Sequence, residues 1–143
     1  MDYLKVLVEE IHSVVVATVD ETGHPHTTVM DMMWEDGKTV YFLTADFKPL
    51  YKRLKEDGRV AVTGMTQGAG TMDRKSISLT GQVKWIGKEH LEELLKANPY
   101  MYEIYPTEEG RSHLQVFRFK NAVGNFYDLT QLSPYQARFE IEG

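Results

Sequence analysis

The feature that most limits the fold of this chain is a succession of short β-branched and aromatic segments separated by turn residues. At least six segments alternate between apolar and polar positions, as half-buried strands do, and few helical segments lie between them. A doubly wound α/β fold would need a helix between most strands. The pattern therefore predicts a mainly β (α+β) fold, in which an antiparallel sheet forms a closed or partly closed barrel.

Hydrophobic periodicity and turn residues give each predicted element approximate limits. We predict helices over residues 2–12, from Phe47 or Lys48 to Asp57-Gly58, over Lys88–Ala97 and from Pro99, and strands at Ser13–Val19, His26–Trp34, Thr39–Thr44, Arg59–Met65, Ser76–Ile86, Leu114–Phe119, Ala122–Leu129 and Tyr135–Ile141. Lys120-Asn121 is predicted to be the turn of a closing hairpin, and Gly81 to mark a bulge or bend. Because no repeat or linker interrupts the series, we expect residues 1–143 to form a single domain.

The segment Thr39–Val62 is the one clear strand–helix–strand crossing, and it is also the strongest functional signal. Thr44 is predicted to end the strand and Lys48 to open a basic helix, so that a hydroxyl, an ammonium group and free backbone N–H groups meet at one helix N-terminus. Such a site favours an anion, and we interpret it as the phosphate site of a flavin nucleotide. Lys52 lies one helical turn further on. The alternative is that Lys48 and Lys52 belong to a solvated helix face.

Composition excludes several classes of protein. The chain has no Cys, and no apolar run approaches the roughly 20 residues of a membrane span. Its net charge of −5 argues against nucleic acid as a partner, although an OB-like module that uses the basic helix is an alternative. His24 and His26 lack a third ligand, so no metal site is predicted. The acidic, amphipathic N-terminus is unlike a signal peptide, and we expect a cytoplasmic protein.

Three consecutive segments, SVVVATVDETGHPHTTVM, VYFLTADFKPLYKRLKEDGRVAV and SISLTGQVKWIG, resemble the pyridoxamine 5′-phosphate oxidase-like, FMN-binding split-barrel family. The similarity covers roughly residues 10–90, and PYMYEIYPTEEG and HLQVFRFKNAVGNFYDL resemble a short subgroup of flavin-binding members. The resemblance implies a six-stranded antiparallel split β-barrel of Greek-key type with flanking helices. It further implies a homodimer with FMN at the subunit interface and an FMN-dependent oxidoreductase that acts on a small molecule.

The resemblance also implies which residues contact the cofactor. The family's flavin strand falls on Thr27, Thr28, Val29, Met30 and Asp31. Its hydroxyl falls on Thr44, its basic residue at the helix start on Lys48, and its flavin-contacting glutamine on Ser76. We add Lys52 from the basic helix. Thr28 stands where the family has a phosphate-binding arginine. Ser76 replaces the glutamine and has a shorter reach, which a bridging water could extend.

Other departures from the family concern the reaction. Met33 lies near the position of the family's substrate lysine, and the R-x-H formed by Arg111 and His113 precedes a strand instead of closing the chain. We therefore do not expect pyridoxamine phosphate as the substrate.

The flavin itself performs the redox step in such proteins, so we nominate no catalytic residue. The alternative is a non-catalytic protein that binds or carries flavin, haem or a deazaflavin. Asp31 either faces solvent or, near the flavin, disfavours its anionic reduced form.

Overall fold

The computed structural model describes residues 1–143, and nearly all predicted elements are present. The helical elements are α1 (Tyr3–Lys5), continued by the π-helix Val6–Ile11, α2 (Pro49–Glu56), the 3-10 turn Thr71–Asp73, α3 (Leu91–Ala97), α4 (Met101–Ile104) and α5 (Glu108–Arg111). The strands are β1 (Ser13–Val19), β2 (Pro25–Asp31), β3 (Trp34–Glu35), β4 (Val40–Ala45), β5 (Arg59–Met65), β6 (Lys75–Gly87), β7 (Leu114–Asp128) and β8 (Tyr135–Glu142).

All strands belong to one antiparallel sheet, which curls into a half-barrel with a few flanking helices. Along the sheet the strand order is β2-β1-β5-β6-β7-β4-β3, and β8 pairs with β7 outside this path. The predicted split-barrel fold class is therefore confirmed, but the sheet has eight strands instead of the expected six. The two strands beyond these six are the two-residue β3 and the C-terminal β8, and β8 is the strand predicted from the sequence at Tyr135–Ile141.

The predicted closing hairpin at Lys120-Asn121 is wrong, because β7 runs through these residues without turning. In the pairing of β7 with β6, Gln82 faces Asn121 and Val83 faces Phe119, so that Lys120 is left without a partner. Lys120 therefore forms a β-bulge close to Gly81. The bulge divides β7 into an early part that pairs with β4 and a late part that pairs with β8.

The predicted strand His26–Trp34 is likewise divided in two. β2 ends at Asp31 after pairing with β1, and the chain then crosses to pair Trp34 with Tyr41 on β4. At this crossing the Met32 N–H donates to the carbonyl oxygen of His12 (2.7 Å). Met32 is fully buried, so the polypeptide changes sides of the half-barrel without exposing its apolar side chains.

The half-barrel contains its apolar side chains in two clusters. The larger cluster has 21 buried residues and includes Phe42, Phe117, Phe119 and Phe126, together with Leu54 of α2. The smaller cluster has nine and joins the end of β4 to α3 and α4. Since β4 is buried along its whole length and ends beside α2, α2 is fixed at the end of the sheet. Phe47, one of the two predicted starting points of this helix, precedes it in the structure and is exposed.

Candidate functional site

A cavity of about 460 Å³ lies between β2, the end of β4, the start of α2 and α4. Its size is in the range that small ligands and cofactors occupy. Six of the nine predicted cofactor-binding residues line it: Thr28, Val29, Met30, Asp31, Thr44 and Lys48. The other walls are mainly apolar, with contributions from Met33, Leu43, Leu50 and Met101. The structure thus brings most of the predicted residues of β2 together with the predicted residues at the β4–α2 junction.

The other three predicted residues lie outside this cavity. Thr27 lines a shallow groove on the outer face of the sheet, and Ser76 pairs with Tyr127 at the edge of the same sheet region. Lys52 lines a second groove on the other side of α2. There its ammonium group lies 3.6 Å from the Glu21 carboxylate, and both side chains are largely exposed.

The junction of β4 and α2 has the predicted order of groups, with one difference. Thr44 is buried near the end of β4, and the turn that follows closes when the Lys48 N–H donates to the Ala45 carbonyl oxygen (3.2 Å). Lys48 is the N-cap residue of α2, but Pro49 follows it and has no N–H. The Tyr51 N–H donates to the Lys48 carbonyl oxygen (3.1 Å). The helix therefore presents fewer free N–H groups than the sequence led us to expect.

Arg53 is a cavity residue that the sequence reasoning missed. It lines both the cavity and the second groove, and its Nε donates to the Oγ1 of buried Thr18 (2.8 Å). Arg53 takes part in none of the ion pairs of the structure, so its two terminal nitrogens carry a positive charge without a carboxylate partner. A half-buried guanidinium group of this kind is suited to a phosphate or carboxylate ligand.

Helix geometry was the signal that could have identified Arg53. Around the axis of an α-helix, Arg53 lies about 60° from buried Leu50, whereas Lys52 lies about 160° away. Arg53 therefore flanks the buried stripe of α2 and follows it into the fold, while Lys52 faces solvent. The basic character of the helix is evident from the sequence, and the angle of each basic residue to that stripe distinguishes Arg53 from Lys52.

Arg53 contacts one end of the β1–β2 hairpin through Thr18, and Asp31 lies at the other end of this hairpin. Its carboxylate accepts hydrogen bonds from the Ser13 Oγ (2.6 Å) and the Tyr100 hydroxyl (2.7 Å). Burial, together with the hydrogen bond to this carboxylate, raises the pKa of Tyr100 well above its ordinary value. Asp31 is thus a positioned, half-buried carboxylate on the cavity wall and does not simply face solvent.

The R-x-H segment lies apart from the cavity and has other partners. Arg111 donates to the carbonyl oxygen of Tyr105 (2.8 Å), and its guanidinium lies over the ring of Tyr102. The ring of His113 is hydrogen-bonded to Asp46 (2.8 Å), which lowers the pKa of that carboxyl group. Neither residue lines the cavity.

Two further features bear on the function. No three side chains of His, Asp or Glu are grouped closely enough to hold a metal ion. His26 is instead bonded to Asp20 (2.8 Å) in the turn between β1 and β2. The structure also contains no helix with the length and hydrophobicity of a membrane span.

Comparison with known proteins places this geometry in a family. A sequence model described as Pyridoxamine 5'-phosphate oxidase matches residues 2–127. No curated protein is significantly similar to the chain in sequence.

Several solved structures have the same fold. A NimC/NimA family protein from Clostridium acetobutylicum superposes with a TM-score of 0.73 at 20% identity, over 96% of this chain and 95% of the other. A heme binding protein from Mycobacterium smegmatis gives 0.68 at 12% identity, over 95% of this chain and 56% of the other. An F420 reductase gives 0.62 at 19% identity, over 80% and 90%. At these identities the similarity establishes the fold alone.

Proposed function

Because the chain belongs to the pyridoxamine 5′-phosphate oxidase family, we propose that it is a flavoprotein that binds FMN in the cavity between β2, β4, α2 and α4. The observation that carries this proposal is the charge on one wall. Lys48 and Arg53 both line the cavity, and neither forms an ion pair with a carboxylate. Two unpaired cations beside a buried hydroxyl match the needs of a phosphate group.

The residues present fit the cofactor along the length of the cavity. Lys48, Arg53 and the Thr44 hydroxyl would hold the phosphate, and Arg53 would supply the charge that Thr28 lacks. The apolar side chains of Met30 and Met33 would pack against the ring system. The two ends of the site differ in charge, because Arg53 is anchored on Thr18 and Asp31 is anchored on Ser13.

When bound, FMN supplies electron or hydride transfer, and the protein supplies position and charge. We infer an oxidoreductase that transfers electrons or hydride between FMN and a small molecule. Pyridoxamine phosphate is not the proposed substrate, since the R-x-H residues Arg111 and His113 bond to other parts of the fold. In this proposal the 143 residues form one FMN-binding domain of a cytoplasmic protein that binds neither nucleic acid nor membranes.

We further propose that two copies of the chain share the site. The outer face of the sheet exposes Val15, Val29, Val123 and Tyr127, whose exposed fractions are 39%, 71%, 41% and 37%. Thr27 and Ser76 lie on the same side and would reach FMN only if a second copy placed its cavity against this face. Apolar groups on an open sheet face support an interface there.

Titration of the purified protein with FMN tests the proposal. We expect quenching of flavin fluorescence and a shift of the visible absorption bands, with one FMN bound per chain, and a particle of twice the chain mass. Absence of any spectral change would refute the flavoprotein assignment. A monomer that binds FMN fully would refute the shared site but leave the cavity assignment intact.

Binding without turnover is the second candidate, and the comparisons include a heme binding protein. Met30, Met33, Met101 and Tyr105 line the cavity, but no histidine does, so an iron ligand from this chain would be a methionine sulfur or the tyrosine oxygen. Haem and a deazaflavin should be titrated beside FMN. Preferential haem binding with a strong Soret band would favour a carrier. Bleaching of bound FMN by NADH or NADPH would favour the oxidoreductase.

A further inference from the structure

Three side chains that are distant in sequence form a continuous hydrogen-bonded chain. The His12 ring bonds through Nε2 to the Tyr100 hydroxyl (2.7 Å), and the Tyr100 hydroxyl bonds to Asp31 Oδ2 (2.7 Å). At the other side of the ring, His12 Nδ1 bonds to the carbonyl oxygen of Val8 (3.0 Å). His12 Nε2 is also only 3.5 Å from Asp31 Oδ2. Nothing in the proposed cofactor binding requires this arrangement.

The number of protons in this chain follows from its partners. A carbonyl oxygen only accepts, so Nδ1 of His12 carries a proton. The single proton of the Tyr100 hydroxyl can serve one neighbour, so the remaining bond needs one more proton. When that proton is present, it is carried either by His12 Nε2, with Asp31 ionised, or by Asp31 Oδ2, with a neutral imidazole. Both arrangements satisfy every bond, and they interconvert when Tyr100 accepts a proton on one side and donates its own on the other.

The two ends of the chain open onto different surfaces. Asp31 lines the proposed FMN cavity, in which Lys48 and Arg53 are the other charged lining residues. His12 lines a separate groove of about 470 Å³, together with Glu9 and Glu35. The side chains of His12 and Asp31 are 29% and 26% exposed, so each end is accessible, and half-buried Tyr100 bonds to both. The chain therefore connects a ligand cavity with water on the other side of the wall.

The backbone at His12 also departs from regular geometry. His12 has φ 63° and ψ −65°, a conformation that residues other than glycine rarely adopt, and it follows directly after the π-helix. The N–H and carbonyl groups of His12 are held by Leu7 (2.8 Å) and Met32 (2.7 Å). Both strained backbone and π-helical turns are found preferentially at functional sites.

We propose that His12, Tyr100 and Asp31 form a proton relay that serves the ligand in the cavity; this inference rests on the proposed function. In the transfer, His12 Nε2 gives a proton to the Tyr100 oxygen as the Tyr100 hydroxyl proton passes to Asp31 Oδ2. His12 is then neutral and Asp31 is a carboxylic acid, so one proton has moved and the total charge is unchanged. Asp31 donates that proton to a ligand that gains electrons, and His12 takes up another from water in the groove.

The relay can be tested first in the protein without cofactor. Alkaline titration of tyrosine absorbance near 295 nm, compared with Tyr100→Phe, isolates the ionisation of Tyr100. Because burial and the Asp31 carboxylate both raise the pKa of Tyr100, Asp31→Asn should move this ionisation to lower pH. An unchanged ionisation in Asp31→Asn would overturn the hydrogen-bonded chain.

The second test measures proton delivery in FMN-loaded protein. After photochemical reduction of the flavin, uptake of protons from bulk water is followed with a pH indicator dye. We expect Tyr100→Phe and His12→Gln to slow this uptake at least tenfold without changing its extent. Tyr102→Phe is the matched control, because Tyr102 lies on α4, for which Tyr100 is the N-cap residue, but is exposed outside the cavity, and it should match the wild type.

The outcomes separate the relay from the proposed function. Equal uptake rates in Tyr100→Phe and wild type would overturn the relay, while FMN binding would remain. If the wild type bound no FMN, proton delivery to the cavity would be overturned together with the proposed function. The titration of Tyr100 would still decide whether the chain of hydrogen bonds exists. A uniform slowing in all three variants, including Tyr102→Phe, would point to general loosening of α4 and would also overturn the relay.

Discussion

Replacing Arg53 by methionine is the sharpest test of the phosphate site. Methionine keeps the length and apolar contacts of the side-chain stem but removes the guanidinium group. Each hydrogen bond from a charged donor contributes about 1.5–3 kcal/mol. Arg53 already uses Nε to bind Thr18, so only its two terminal nitrogens are available for a ligand. Two bonds at the lower limit, appropriate for a cavity open to water, give about 3 kcal/mol, or a loss of about a hundredfold in FMN affinity.

The adjacent residue provides a matched control. Lys52→Met removes the same charge from the same helix, but Lys52 lies in the second groove and forms an exposed pair with Glu21. Lys52 does not line the cavity, and an exposed charge contributes about 0–1 kcal/mol, so we expect FMN affinity to fall by less than about fivefold. Thr18→Val leaves the charge in place and removes only the hydrogen bond that orients it, and we expect an intermediate loss.

The assay is fluorescence titration with FMN at two ionic strengths, with circular dichroism to verify that each variant is folded. A folded Arg53→Met protein that binds FMN as tightly as the wild type would refute the role of Arg53. If Arg53→Met and Lys52→Met lost FMN affinity equally, and neither differed from the wild type at high ionic strength, the helix would attract anions only through its overall charge.

Three further predictions concern stability. Gly124→Ala should lower the unfolding free energy by about 1–3 kcal/mol in urea titrations, because the new Cβ would clash with the Phe139 ring; no change would mean that the ring moves freely. Asn98→Ala should cost about 1–3 kcal/mol, because buried Asn98 donates to two main-chain carbonyls at 2.9 and 2.8 Å; an unchanged urea midpoint would refute this role. Burial and a hydrogen bond to Asp36 raise the pKa of Tyr41 to about 12, so stability should fall as pH rises from about 10 to 12. Tyr41→Phe should lose less unfolding free energy than the wild type over this pH range, and identical pH–stability profiles of the two proteins would contradict the prediction.

Local sequence rules predicted the elements whose limits depend on nearby residues. α2 ends where Asp57-Gly58 was predicted to stop it, since Gly58 adopts φ 79° and its N–H bonds back to the Arg53 carbonyl oxygen (3.4 Å). At Lys120-Asn121 the same rules failed. A turn and a bulge interrupt the alternation of a strand in the same way, and only the 13-residue partner β6 decides between them. That partner is remote in sequence, so no local pattern could identify it.

Prediction of the candidate site was likewise limited to residues that are close together in the sequence. The proximity of Thr44 and Lys48 could be predicted because they lie within a few residues of one helix start. His12 and Tyr100 are 88 residues apart, and no spacing rule connects them. Their contact depends on how α4, whose Met101 belongs to the smaller apolar cluster, lies beside the end of the π-helix, whose Leu7 and Ile11 belong to the larger one.

The β1–β2 hairpin bears on the length of the ligand that we propose for this cavity. Arg53 is anchored on Thr18, near one end of β1, and Asp31 is anchored on Ser13, at the other end. Five residues of strand separate these anchors, a distance of about 16 Å at roughly 3.3 Å per residue. A phosphate bound near Arg53 alone would leave the apolar middle and the carboxylate end of the cavity in contact with water. A ligand with its phosphate at one end and a flat apolar body reaching toward Asp31 would fill both, and the body would then lie where the proposed relay ends.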